Sequence, residues 1–335
     1  IYPISNLTPH TFLSGQKNKN VETSLLLRLE NGIITFKDFT SMLSMNKDER
    51  QEIRAQLREI YDGSLTKDLG TGEKKVWRGK MGLIAGATTA IYVTRELYAA
   101  MGERFIMYCV KQPNRKDMTR LALKNTTKEA NAKKEQLKEL VGDYLNNVIE
   151  IPEEIPDLSE EFQDEIISLA ELATKARSSV DRDFRGREMT FVHDPEMPAR
   201  FAKQLIILGR ALSIMHGGIT AQDRKTLYKI SLDSINRTRR LCLQHLVRYQ
   251  RVATPSLATR LGFSTGSVRN FLEDLSAFHI VHREKGSNKD YWILDPAYKA
   301  LLSKFEGITP SEKDLDDKNE EEEEPQEVIP DELFS

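Results

Sequence analysis

The sequence predicts an α/β region holding a partial parallel sheet, then an all-α region, then a small unit of three helices and a hairpin. Three observations carry that prediction. Apolar, β-branched runs alternate with amphipathic helical patterns up to about residue 112. Helical spacing dominates almost alone from there to about residue 232. A helix–helix–helix order closed by two short strands around "EKGSNKD" follows. The boundaries expected are 1–112, 113–232 and 233–305, with an acidic tail of low complexity over 306–335 that lacks the apolar content to fold.

In the first region "GIITFKDF" reads as a strand that ends in a charged pair. "KDERQEIRAQLREIYDG" is an amphipathic helix closed by Gly63, and "KMGLIAGATTAI" is an apolar strand bounded by glycines. "TAIYVTRELYAAM" spaces its apolar side chains as a helix does, and "RFIMYCV" runs as a buried strand. Arg104 therefore falls at a helix-to-strand corner, where core packing rarely asks for a guanidinium. The loop "GTGEKKVWRGK" brings Lys74, Lys75, Arg78 and Lys80 together, either as a nucleic-acid contact or as a solvated hairpin.

The second region opens with "KDMTRLALKNTTKEANAKKEQLKELVGDYLNNV", read as one long helix, and breaks at the Pro-rich "IPEEIPDLSE". "EEFQDEIISLAELATKARSSVDRD", "MPARFAKQLIILGRALSIMHGG" and "TAQDRKTLYKISLDSI" continue as helices. The arginines of "KARSSVDRDFRGRE" suit a subunit interface or a solvated face.

Composition narrows the class. The 335 residues are 39% hydrophobic and 30% charged, which suits a soluble globular chain of about two domains. No apolar run approaches the roughly 20 residues that cross a bilayer, and no membrane partner is expected. Cys109 and Cys242 lie in apolar patterns and read as free thiols of a reducing, cytoplasmic setting. Six scattered histidines form no ligand spacing, so a histidine or cysteine metal site is not expected. The segment 312–335 holds 12 acids and 2 bases, leaving +8 on the rest of a chain whose total is −2. That balance suits an anionic partner such as DNA.

The third region carries the clearest motif. "SINRTRRLCLQHLVRY" supplies a first helix, and "TPSLATRLG" a short second one with Thr254 as N-cap and Pro255 in its first turn. After Gly262, "STGSVRNFLEDLSAF" is a third helix capped by Ser264, and the Gly-Ser-Asn turn joins two strands. This order resembles a winged helix-turn-helix. The resemblance puts Thr265, Ser267, Arg269 and Asn270 at the major groove, with Arg283, Lys285 and Lys289 reaching phosphates. Glu273 and Asp274 are expected to face away. Protein–protein contact is the competing use of such a module.

Polar groups also sit at the expected strand ends of the first region. Asp38 follows an apolar strand, where a carboxylate can hold hydrated Mg²⁺. Thr88 ends the next strand, Arg104 comes at the following corner, and Arg200 begins a helix further on. In this order the chain resembles the later half of an AAA+ ATPase of the kind found in phages and mobile elements, some of them MCM-like helicases. The resemblance implies ATP and Mg as cofactors, with Asp38 on the metal and Thr88 as sensor. It also implies Arg104 acting on a neighbouring copy in a homo-oligomer, and Arg200 sensing the γ-phosphate. The sequence departs from that pattern in two places: no "GxxxxGK[ST]" occurs, and Phe39 stands where a glutamate usually follows the aspartate. The expectation is a phosphate loop upstream of "IYPISNL", which lacks an initiator methionine, so that this stretch alone hydrolyses no ATP. The alternative is a DNA-binding regulator or adaptor whose ATPase-like part is scaffold. The tail tip "VIPDELF" suits docking to a protein partner.

Overall fold

The computed structural model describes residues 1–304 except 16–21, 30, 71, 93–103, 111–113, 126, 149–151, 184, 186–187, 250 and 287–288. The described chain is mixed α/β, rich in helix, with small sheets that are parallel only in part. Two apolar clusters organise it, one built from residues 7–91 and the other from residues 158–302.

Strands β1 (Tyr2–Ile4), β2 (Gly32–Phe36) and β5 (Met81–Ala85) form a parallel sheet with β2 in the centre. Between them lie α1 (Leu25–Leu29), α2 (Lys47–Tyr61) and the antiparallel hairpin of β3 (Ser64–Asp68) with β4 (Lys74–Arg78). The Asn46 side chain caps α2 by accepting from the Glu49 amide at 2.9 Å. Ile53, Leu57 and Ile60 recur at helical spacing, which buries one face of α2 in the cluster with Ile34 and Phe36 of β2. The opposite sheet face is bare: Ile33 is 38% and Ile84 60% exposed. Parallel sheets are ordinarily covered on both faces, and β5 has no second neighbour among the described residues.

The expected strand after Arg104 does not join this sheet. Residues 105–110 form no ladder. Their backbone is held instead by α7 (Ala221–Asp233), where Asp233 accepts from the Cys109 amide at 2.6 Å and Lys229 donates to the Cys109 carbonyl at 2.6 Å. The helix expected just before Arg104 begins as a short 3-10 turn, Thr89–Tyr92, and the rest of it lies outside the described residues.

The expected long helix is two, α3 (Arg115–Lys124) and α4 (Thr127–Asp143). Asn125 ends the first in an extended conformation, its amide donating back to Leu121. Neither helix buries a residue. The helical core starts later, with α5 (Glu160–Arg177), α6 (Ala199–His216) and α7. Between α5 and α6 stands a hairpin that the helical reading missed, β6 (Val180–Arg182) with β7 (Met189–Val192).

The last part runs α8 (Arg237–Arg248), β8 (Val252–Ala253), α9 (Thr254–Leu261), α10 (Thr265–Ala277), β9 (Val281–Lys285), β10 (Asp290–Leu294) and α11 (Pro296–Ser303). Its antiparallel sheet is ordered β8–β10–β9. Gly262 turns the chain at φ +67°, a conformation that costs a residue with a Cβ. Ser264 then caps α10, accepting from the Ser267 amide at 3.1 Å. Thr254 is the first residue of α9 rather than its cap, and its buried hydroxyl accepts from the Trp292 indole at 2.8 Å.

One apolar cluster runs across the boundary expected at residue 232, from Leu158 to Leu302. A polar junction crosses it. Asp274 of α10, 2% exposed, accepts from Arg182 of β6 at 2.7 Å and from Arg239 of α8 at 2.8 Å. Arg239 also donates to the carbonyls of Ala176 and Ser178 at the end of α5. Removing one partner of such a set strands buried charge. Asp274→Ala is therefore expected to cost about 3–5 kcal/mol, read as a lowered urea midpoint, whereas an exposed carboxylate such as Asp157 changed the same way should shift it little.

Candidate functional site

The carboxyl ends of neighbouring parallel strands are where α/β folds place ligands. Here β2 and β5 pair in register, Phe36 opposite Ala85, and the pairing continues one step beyond the strands. The Gly86 amide donates to the Phe36 carbonyl at 2.9 Å, and the Phe39 amide donates to the Gly86 carbonyl at 2.7 Å. A Cβ on Gly86 would lie 2.7 Å from the Lys37 carbonyl oxygen, so only glycine allows this approach.

That stitch brings Asp38 and Thr88 together through a residue the sequence reading did not single out. Asp38 caps the turn Phe39–Ser44, accepting from the Thr40 amide at 3.0 Å. The Thr40 hydroxyl accepts from the Thr88 amide at 2.8 Å and lies 3.1 Å from the Thr88 hydroxyl. One exposed carboxylate and two hydroxyls thus share one strand-end corner. Mg²⁺ commonly takes one or two carboxylates and completes its shell with water and phosphate, and Asp38 is the carboxylate at this corner. Among the described residues no cluster of three or more His, Cys, Asp or Glu gathers for a metal. The sequence itself carries no phosphate loop to complete a nucleotide site.

Arg104 and Arg200 are engaged with α2 and α6, and Phe105, next to Arg104, lies 6.4 Å from the Phe39 ring beside Asp38. Arg104 donates to Asp62, just beyond α2, at 3.3 Å, and its side chain is only 12% exposed. Its carbonyl accepts from Gln204 of α6 at 3.0 Å, and Gln204 also donates to the Tyr61 hydroxyl. Arg104 thus joins the end of α2 to α6. Arg200, one turn before Gln204, is 41% exposed and stands 3.7 Å from Glu196. Glu196 also accepts from Arg177 of α5.

On α10, Thr265, Ser267 and Arg269 are exposed along the first turns. Asn270 is turned inward: its side-chain oxygen and carbonyl both accept from Arg182, at 3.3 and 2.9 Å. Glu273 accepts from the same arginine at 3.2 Å, and Asp274 is 2% exposed. Arg283 donates to Asp290 across the hairpin at 2.6 Å and lies 5.8 Å over the Trp292 ring. Lys285 and Lys289 are exposed, with Lys289 5.6 Å over the Tyr291 ring.

One carboxylate reports how these cations cluster. Asp290 is held below its ordinary pKa chiefly by the hydrogen bond from Arg283, against some burial, and further by the charges of Arg283, Arg269 and Lys285. In the hairpin register Lys285 lies opposite Asp290, and Arg283 stands between Asp290 and Glu273 of α10, 3.8 Å from the latter. Arg251, paired with Glu284 at 3.5 Å, stacks 3.8 Å over the Tyr291 ring that Lys289 also meets, on the side of the hairpin opposite Asp290. Only its place beside a β-strand could have flagged Arg251 in advance.

Gly86→Ala should cost about 1–3 kcal/mol, the usual range for forcing extra atoms into packed structure, and should part Thr88 from Thr40. Urea unfolding checks the stability, and loss of amide protection at Thr88 by hydrogen exchange checks the parting. No protein-family model matches this chain, and no curated protein matches it either.

Proposed function

We propose that this chain is the nucleotide-responsive and DNA-binding part of an AAA+-like replication ATPase, a helicase or initiator, with a winged helix as its DNA-binding module. The observation that carries the reading is the Asp38–Thr40–Thr88 corner at the carboxyl ends of two neighbouring parallel strands. Asp38 holds the hydrated metal there, and Thr88, positioned by Thr40, orients the γ-phosphate or a water. Bound ATP and Mg²⁺ would supply the phosphoryl group and the charge that neutralises it. The reading assigns the phosphate loop to a further strand beside β5, which has no second neighbour among the described residues, and the exposed Ile33 of β2 and Ile84 of β5 leave room for covering structure.

The DNA-binding half rests on the exposed Arg269 of α10 and the exposed Lys285 and Lys289 of the β9–β10 hairpin. Thr265, Ser267 and Arg269 enter the groove, while Lys285 and Lys289 meet phosphates. Asn270 and Arg283 act from behind these residues, since both are engaged inside the chain. The helical order and the β8–β10–β9 sheet support the winged-helix reading.

One observation favours the second reading, a DNA-binding regulator whose sheet is scaffold. Arg104 is turned onto Asp62 of its own chain, and acting on a neighbouring copy's nucleotide requires that pair to open. Binding of labelled ATP separates the two, using the chain extended in frame by the sequence encoded upstream. The ATPase reading predicts Mg²⁺-dependent binding, with Asp38→Asn abolishing the Mg²⁺ dependence and Asp62→Asn leaving binding intact. No binding by the extended chain, or Mg²⁺ dependence unchanged in Asp38→Asn, leaves the regulator.

A further inference from the structure

Helices α3 and α4 form an arm that buries nothing, and every described residue of 115–134 other than Asn125 is exposed. Core packing therefore sets none of these side chains, and their chemistry is what the arm offers to solvent. Residues 115–134 hold seven Lys and Arg against two Asp and Glu, a net of +5. Residues 135–143 hold one base against three acids, a net of −2. Alternating signs mark a helix that is merely solvated and salt-bridged. This arm separates them along its length.

Spacing gathers the cations. Lys116, Arg120 and Lys124 recur every fourth residue, so they lie ~6 Å apart along α3 and within ~80° of one another around it. The chain turns at Asn125, whose side chain accepts from Lys133 of α4 at 2.8 Å. That bond ties α4 back to the end of α3 and sets the Lys133 ammonium at the corner that follows Lys124, with Lys134 next in sequence. Arg120 is answered by Asp117 at 3.1 Å, in a pair too exposed to hold it firmly. Lys116, Lys124, Lys133 and Lys134 have no carboxylate at ion-pair distance among the described residues.

The kind of anion follows from what accompanies the cations. A membrane surface asks for a broad apolar face opposite them, with Trp, Phe or Leu. Residues 115–134 contain neither Trp nor Phe and offer only Met118, Leu121 and Leu123, while Leu137, Leu140 and Val141 of α4 lie in its acidic part. A duplex asks only for cations. It carries a charge about every 1.7 Å of axis, so a helix of ~15 Å with cations along one side meets several phosphates.

We propose that the α3–α4 arm is a second DNA-binding element of this chain, its lysines neutralising backbone phosphates without reading sequence. This rests on DNA being the partner, as in the reading above, and not on the winged helix making the contact. Both ends of the arm are fixed to the part that carries the module. Cys109 before it is held by Asp233 of α7, and Leu158 after it is buried in the cluster shared with α8 and α10. Phosphate contacts by the arm and by the module therefore add within one chain.

The test compares the full chain with a variant carrying Lys116→Gln, Lys124→Gln, Lys133→Gln and Lys134→Gln. Glutamine is close to lysine in helix propensity, and no buried residue is touched, so the urea midpoint is expected to hold. Anisotropy of two labelled duplexes of unrelated sequence is followed across a salt series. The variant's slope of log affinity against log salt is expected to be shallower by up to ~3.6, about 0.9 for each phosphate no longer neutralised, and equally so on both duplexes. In the wild type, DNA is expected to protect the same four lysines from acetylation, mapped by peptide mass, while Lys47 and Lys225, exposed elsewhere, react as before. If the variant unfolds, this acetylation pattern decides alone. Four lysines left reactive, or a slope changed by less than about 0.9, one phosphate, would overturn the arm and leave the module's reading standing. A wild type that binds no duplex would sink both. Binding to anionic vesicles that the variant loses, with duplex binding unaltered, would overturn the proposal in favour of a membrane.

Discussion

A buried arginine pair around one aspartate holds the second half of this protein in register. Asp274 receives Arg182 from the β6–β7 hairpin and Arg239 from α8, while Arg239 closes on the carbonyls that end α5. Apolar packing is non-directional, so the cluster from Leu158 to Leu302 alone would permit α10 to slide or turn. Directional, charge-assisted bonds remove that freedom. They fix which side of α10 is inward, and Asn270 and Glu273 follow Asp274 to that side through the same Arg182.

The orientation decides what remains for function. With one side of α10 bound to Arg182, Thr265, Ser267 and Arg269 are left exposed near its start, and Lys285 and Lys289 are exposed on the hairpin. The first half of the chain obeys a comparable constraint. Gly86 lets the backbone after β5 close on Lys37, and that closure sets Thr88 against Thr40. In both halves a structural requirement, buried ion pairs in one and a missing Cβ in the other, aligns the polar groups that the proposed functions use.

Much of this was legible in sequence, and the failures have physical causes. The strands at Gly32–Phe36 and Met81–Ala85, the helix Lys47–Tyr61 and the order of α8, α9, α10, β9 and β10 follow from apolar periodicity and from Gly and Asn punctuation, whereas the two-residue strand β8 and the closing helix α11 were not read. The strand expected at 105–110 fails because a strand needs a partner, and Asp233 and Lys229 satisfy its backbone instead. The single helix expected over residues 116–148 breaks at Asn125, whose backbone is extended and whose side chain accepts from Lys133. The β6–β7 hairpin is too short and too polar to stand out from flanking helices. At the candidate site, Asp38 and Thr88 were readable as strand ends, but Thr40 and the inward turn of Asn270 depend on partners far along the chain. Arg104 was readable as unusual; that it pairs with Asp62 was not.

The central claim is that the α10–hairpin face binds nucleic acid through its phosphates. Anisotropy of a labelled duplex across a salt series tests it most directly, with the wild type beside an Arg269→Ala, Lys285→Ala, Lys289→Ala triple variant. The account predicts a linear fall of log affinity with log salt in the wild type, and a slope shallower by about 3 in the variant, roughly one for each phosphate no longer neutralised. A slope that the triple variant leaves unchanged, or an affinity indifferent to salt, would contradict it.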